Sequence, residues 1–494
     1  YNYAEALAKS MLFYEAQRSG SLPPNQRVRW RGNSAMNDGS DNNIDLSGGY
    51  YDGAGYIKYN FPMAFSSTLI SWSVIRYGRT YRALGQYNHA LDTIKWATDY
   101  FIKCHPEPNL FYGQVSDKSA DSQFFGRPED MTYQRRSYKI DFTQPEIGTD
   151  LAAEAAAAMA SAAIVYKTVN PSYSNTLQQH AVELYNFATT APRRPYSRSI
   201  RHAAQAYGTE ASSYKDELAW AALWLYKLTR LPVYLNDAKR IVNLLDESRR
   251  KVTEFSWNVK TAGVQLLLSE MTNTRRFKAA FKFLVDRFSK RVNHLLRFCT
   301  HAQPEQSSNL LSRSDYTNRG LLYVNQWGPL RYAANTAFIC AMAADNNVDT
   351  ERNSVFCIVA WWRHAFIAHT IVLAQNQLNY ILGSNGRSFV VGFGTNPPTK
   401  VFHQSSYCPP PPAACNRFDA QTPNAHILYG ALVGGPSESD SFMNQRMNQK
   451  QSSVTLDYNA GYYILKFALV NTLKRRRGKQ RQVSFSHGLF YDDA

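Results

Sequence analysis

LAAEAAAAMASAAIVYK, residues 151 to 167, carries small or apolar side chains on nearly every face. A helix of that kind has no polar face to offer water, so it is expected to be buried on more than one side. ELAWAALWLYKL, residues 217 to 228, repeats the pattern with aromatic bulk. Together they predict an inner layer of helices. Tyr3 to Gln17, with Ala4, Leu7, Met11, Leu12 and Tyr14 near helical spacing, and His180 to Ala188 are one-sided instead, and predict outer-layer helices around it. Helical signals dominate, and the expectation is an all-α fold in two layers.

Long turn-rich stretches interrupt the helices: Arg18 to Asn60, Cys104 to Gly148 and Gly383 to Pro436. Connections of that length in a compact domain usually carry a functional surface. No internal repeat and no clear linker divides the 494 residues, so a single domain over 1–470 followed by a basic tail, 471–494, is the economical reading. A hydrophobic fraction of 44% with only 19% charged residues excludes disorder and long coiled coils.

Lysine and arginine exceed the acids by 55 − 38 = 17. The excess is clustered: Arg249, Arg250, Lys251, Arg275, Arg276, Lys278, Lys282 and Arg287 crowd one region, and Lys474 to Arg477 begin the tail. Such clusters read as docking sites for an acidic polymer or protein, or as solvated helix faces. No nucleic-acid motif accompanies them, so nucleic acid is not an expected partner. The most apolar window, Val355 to Ala374, is broken by Arg363, His364 and His369, and no membrane span is expected. The opening YNYAEALAKS lacks the features of a signal peptide, and a leader is expected to have been removed from a secreted protein. Cys408 and Cys415 bracket a proline run that a disulfide would staple in an oxidising compartment; two unpaired loop thiols are the competing reading.

Several long motifs give the loops an identity. GGYYDGAGYIKYNFPMAFSSTLISWSVIRYG (48 to 78), FFGRPEDM (124 to 131), YKID (138 to 141), SSYKDELAWAALWLY (212 to 226), NQWGPLRYAANTAF (325 to 338), YILGSNGRSFVVGFGTNPP (380 to 398), ILYGALVGGP (427 to 436) and DYNAGY (457 to 462) occur in order along nearly the whole chain. The sequence resembles glycoside hydrolase family 9, the endo-β-1,4-glucanases or cellulases of plants and animals. The stretch from about 247 to 318 is basic and unlike the family. The resemblance implies an (α/α)6 toroid, six inner and six outer helices with a substrate cleft built by loops at one end. It also implies inverting hydrolysis of a β-linked glucan, in which one carboxylate activates water and a second protonates the leaving oxygen.

Both principal carboxylates of that resemblance are absent. The family's D-A-G-D motif reads Asp52, Gly53, Ala54, Gly55, so Asp52 is retained while the principal base position is Gly55. The acid position, in a stretch ending D-Y-N-A, is Ser453. A hydroxyl is too weak an acid to protonate a glycosidic oxygen, and general acid and base contributions are each worth roughly 10²–10⁴-fold. Neighbouring positions differ from the family as well: its His before F-W-G-R-P is Ser122, its Trp is Phe125, its H-H-R triplet is Phe402, His403, Gln404, and its D-D-R is Asn444, Gln445, Arg446. The expectation is a cellulase-like pseudoenzyme with a glycan-binding or structural role; the alternatives are an active endoglucanase and a polyanion-binding protein on the same scaffold. For an active enzyme no obvious replacement acid stands out, Glu438 lying in a variable loop.

Each retained residue carries two readings. Asp52 orients water or a sugar hydroxyl, or else it is a structural carboxylate bound to loop amides. His403 contacts sugar or is a hydrogen-bonded loop group. Trp257 and Trp327 match positions where aromatic faces stack on glucose, and both are also ordinary packing residues. Tyr429 joins them as a substrate-binding candidate, and Arg446 is expected to pair with a buried carboxylate with a secondary sugar role. Ser212, Asp216 and Glu217 match a stretch that holds a structural calcium in some family members. Here the family's glycine is Ser213 and its later acid is Asn258, and the competing reading has Asp216 and Glu217 favouring a helix N-terminus. No other cofactor is expected.

Overall fold

The computed structural model describes residues 1–143, 147–190, 193–195, 213–245, 254–272, 274, 316–345, 371–419 and 421–462. Most of the basic stretch from 247 to 318, the tail and most of the Val355 to Ala374 window lie outside them, as does Ser212.

Helices α1 (Tyr3–Ala16), α2 (Asn60–Ala83), α3 (Tyr87–Cys104), α5 (Thr149–Tyr166), α6 (Pro171–Thr189), α7 (Lys215–Thr229), α8 (Pro232–Asn243), α9 (Thr261–Thr272) and α10 (Pro329–Asp345) form the frame. The short α4 (Lys118–Asp121), α11 (Gln404–Tyr407) and α12 (Gln449–Ser452) lie in the loops. α5 packs between α2 and α7 with α6 on its outer side, and nearly all of its residues are buried. The alanine run makes this approach possible, because small side chains let three helices close on one. α6 buries Ser174, Leu177, Ala181, Leu184, Tyr185, Phe187 and Ala188 and leaves most of its other residues partly or fully exposed. The inner and outer layers expected from the sequence are therefore both present.

Aromatic rings lock the inner layer. Trp72 of α2 meets Trp220 and Trp224 of α7 edge-on at 5.5 and 5.6 Å, and Phe338 of α10 at 5.4 Å. Edge-to-face pairs add to the area that each ring buries. Gly263 on α9 is small for a reason: a Cβ there would stand 2.6 Å from the Trp220 ring.

A small antiparallel ribbon sets up the loop end. β1 (Lys58–Tyr59) pairs with β2 (Leu110–Val115), which pairs with β3 (Ser137–Asp141). The register opposes Lys58 and Val115. Because the strands are antiparallel, the residues just before Lys58 run beside those just after Val115, so Gly55 and Asp121 come from one end of the same ribbon.

Among the described residues no helix is long and apolar enough to cross a membrane. Cys408 and Cys415 form a disulfide, while Cys104 and Cys340 are buried free thiols.

Candidate active site

Four loop segments meet at the site: 52–57, 121–126, 402–407 and 452–456. The Gln404 amide donates to Ala54 O at 2.9 Å, its side chain to Gly126 O at 3.2 Å, and the Tyr56 hydroxyl to Gly126 O at 2.6 Å. The Phe402 amide donates to Ser452 O at 3.0 Å, and the Gly434 amide to Ser453 O at 2.9 Å. The Leu330 amide in turn donates to Gly434 O at 3.1 Å, which ties the segment bearing Trp327 to the segment bearing Ser453.

The first segment is fixed from beneath by buried charge. Asp38 accepts from Lys58 Nζ and from Arg135 Nε, both at 2.7 Å, and Arg135 also donates to Tyr56 O at 2.7 Å. Lys58 Nζ further donates to Leu46 O and Gly48 O. A buried pair survives only when its remaining donors are satisfied, as they are here.

Asp52 is buried, and its Oδ1 accepts the Leu456 amide at 2.8 Å. Of its two readings the geometry matches the structural one, since that bond clips the first segment to the last. At position 55 the structure shows something the sequence reading missed. An ideal Cβ on Gly55 would lie 1.9 Å from Asp121 Oδ2. Asp121 ends α4, and its Oδ1 accepts the Tyr56 amide at 2.8 Å and the Tyr133 hydroxyl at 3.2 Å. Burial pushes this carboxyl above its ordinary range, against the opposing pull of the Tyr56 amide, Arg135 and Tyr133. Asp121 stands directly before Ser122, one of the substituted positions.

His403 is placed as a hydrogen-bonded loop group, the second of its two readings. Its ring is buried, with Nδ1 3.0 Å from Ser406 Oγ and Nε2 2.7 Å from Gln17 Oε1, and burial lowers its pKa to about 3. Trp257 is also removed from the list of stacking faces: it is buried and meets Phe61 edge-on at 5.5 Å. Arg446 is fully buried but does not pair with a buried carboxylate as expected. It donates to the carbonyls of Asp419 and Thr422 and to Asn424 Oδ1, while the Asp419 carboxylate is 3.9 Å away and half-exposed. Trp327 and Tyr429, by contrast, expose 43% and 40% of their surface, with Lys450 Nζ over the Trp327 ring at 5.9 Å and Lys9 Nζ over the Tyr429 ring at 5.4 Å. Phe125, Phe402 and Tyr407 gather around Phe418 at 4.8, 5.2 and 5.1 Å, giving the loop end an apolar wall.

Asp216 and Glu217, two of the three residues of the suggested calcium site, are both buried. Lys260 donates its amide to Asp216 Oδ2 at 2.9 Å, and its ammonium stands 3.3 Å from Glu217 and 3.2 Å from Glu154. The chain thus supplies its own cation to these carboxylates. A different group, His105, His180 and Glu183, places three ligand atoms within 4.8 Å of one another between the end of α3 and α6. Its two Nδ1 atoms lie 2.7 Å apart, a hydrogen-bond distance between neutral rings.

Helices in two layers, with a loop-built aromatic and acidic end, describe a glycoside hydrolase scaffold, and the comparisons agree. Residues 3–465 match the profile of glycosyl hydrolase family 9. The chain is 38% identical to Endoglucanase 7 of Oryza sativa subsp. japonica, over 98% of this chain and 92% of that protein. Among solved structures it resembles the endoglucanase of the termite Nasutitermes takasagoensis, with a TM-score of 0.82 and 42% identity over 95% of this chain and 99% of that one. It also resembles the cellulase Cel9M of C. cellulolyticum in complex with cellobiose, with a TM-score of 0.78 and 29% identity over 96% and 99% of the two chains. The chain belongs to glycosyl hydrolase family 9, and its fold is the (α/α)6 toroid of that family.

Proposed function

We propose that this family 9 member holds a β-1,4-linked glucan in its loop-built cleft and that the usual inverting hydrolysis is lost or severely impaired, leaving a glycan-binding or structural role. The observation that carries the reading is the pair Gly55 and Ser453, two residues without a carboxylate where the family resemblance puts its base and its acid. Inversion needs both groups across a gap wide enough for water, and loss of either removes orders of magnitude. The part-exposed rings of Trp327 and Tyr429 support retained binding, and the cellobiose complex of a similar cellulase supports the ligand class. The Cys408–Cys415 disulfide supports an extracellular setting.

Titration calorimetry with cellohexaose at low and high salt, followed by chromatography of the recovered sugar, tests the reading. Binding that salt leaves unchanged, with the hexaose recovered intact, is expected. Absence of binding, or prompt conversion to shorter sugars, overturns it.

A further inference from the structure

Three metal-ligating side chains meet where α3 gives way to the ribbon. His105 follows Cys104, the last residue of α3, and β2 begins shortly after it at Leu110. His180 and Glu183 lie one turn apart on α6, a spacing that puts both on one face of the helix, beside His105. His105 Nδ1 lies 2.7 Å from His180 Nδ1 and 4.0 Å from Glu183 Oε2, and one ligand atom from each residue lies within 4.8 Å of the others. The two imidazoles meet edge-on with their centroids 5.0 Å apart. Gln179 donates to the other Glu183 oxygen, Oε1, at 2.9 Å, which leaves Oε2 for the His105 side.

The charges around this cluster do not balance as an ion pair. Burial lowers the pKa of His105 to about 4, with His180 adding to the effect, and burial lowers that of His180 too, so both rings are neutral at pH 7. Glu183 therefore faces two uncharged rings, and among the described residues no lysine or arginine pairs with it. Neutral imidazole nitrogens beside a carboxylate are the state in which these groups bind a divalent transition ion. Tetrahedral zinc, with bonds of about 2.0–2.2 Å, spaces its ligand atoms about 3.3 Å apart. The distances of 2.7 and 4.0 Å straddle that spacing, so small side-chain rotations close the cluster around an ion. His105 is buried while His180 and Glu183 keep part of their surface in water. The cluster is thus anchored on its inner side and open on its outer side, where an ion enters and water supplies a fourth ligand.

We propose that His105, His180 and Glu183 form a zinc site of two imidazoles and one carboxylate, which ties the junction of α3 and β2 to α6. The donors select the ion, because imidazole nitrogen suits zinc whereas calcium and magnesium take oxygen ligands. None of the three residues lies in the four segments of the cleft, so the ion acts on stability and not on glycoside chemistry. An ion that only the folded chain binds stabilises that chain further as its free concentration rises.

The test uses the full chain, stripped with EDTA and dialysed free of chelator. Calorimetric titration with zinc chloride, with calcium and magnesium chlorides as comparators, measures binding, and zinc-edge X-ray absorption of the loaded protein reads its ligands. One zinc equivalent that calcium and magnesium do not displace, two imidazoles in the absorption spectrum, and a thermal midpoint that rises with zinc concentration are expected. His180→Ala and Glu183→Gln alter part-exposed side chains, and each should weaken zinc binding by about 10-fold or more and diminish the thermal rise. Glu183→Gln should keep the zinc-free midpoint nearly unchanged, so it decides the matter even where loss of His180 costs stability. No tightly bound zinc in the native chain, or native zinc affinity in both folded variants, overturns the assignment and leaves the histidines as a hydrogen-bonded pair.

Discussion

Asp121 Oδ2 lies 1.9 Å from where a Cβ of Gly55 would stand, so a carboxylate and a missing side chain share one volume. The Lys58–Val115 register of the β1–β2 ribbon brings the two positions together, and the Tyr56 amide holds them there.

Gly55→Ala should destabilise the protein by about 1–3 kcal/mol, the usual cost of overpacking. It forces the Asp121 carboxylate from the Tyr56 amide. In an Asp121→Ala background the same substitution should cost much less, and chemical denaturation of the four proteins in the cycle measures the coupling. Additive effects would show that the two residues do not compete for space.

Asp52 is expected to act as a clip between segments. Asp52→Ala, which strands the buried Leu456 amide, should cost about 1–3 kcal/mol, whereas Asp52→Asn keeps an acceptor and should cost less. Thermal unfolding of both variants checks the order; equal losses would count against the amide bond as the reason.

Trp327 and Trp257 should part company when truncated. Trp257→Ala empties a buried site beside Phe61 and should cost about 3–5 kcal/mol of stability. Trp327→Ala leaves stability nearly unchanged and weakens cellohexaose binding several-fold, about 1 kcal/mol for one lost ring face. Calorimetry on both variants separates the roles, and unimpaired binding by folded Trp327→Ala would remove that ring from the cleft.

Acid should weaken the fold through buried histidines. Burial holds His105 at about 4, with His180 adding to the effect, and His403 at about 3, against an ordinary imidazole value of 6.5. Between those values the unfolded chain binds protons that the folded chain refuses, so stability is fully present above about pH 6.5 and falls as the pH drops toward 4 and then 3. His403→Gln should flatten part of that slope in denaturation midpoints taken from pH 7 to 4. An unchanged slope would mean that His403 is not buried neutral.

The layers of the fold were legible in the sequence because helix burial is a local property of composition. An alanine-rich run such as 151–167 has no polar face, and α5 is buried almost throughout. The site was legible only where a motif carried it. Asp52, Gly55 and Ser453 are read from motif positions, but burial at His403 and Trp257 depends on segments hundreds of residues away, such as the one bearing Gln17. Asp121 was missed for the same physical reason: its proximity to Gly55 comes from strand register and a four-residue helix, neither of which leaves a periodic signal. Lys260 was missed as well, since nothing in its neighbourhood of the sequence announces that it meets Glu154 and Glu217.

Reducing-sugar release from cellohexaose by the native protein, beside a Gly55→Asp/Ser453→Glu variant, tests the central claim most directly. The account predicts no release by the native protein above the blank, and a gain of about 100-fold or more when both carboxylates are restored and Asp121 yields its place. Native release at a rate equal to or above that of the restored variant would contradict it, and would place an acid in the cleft that Ser453 does not provide.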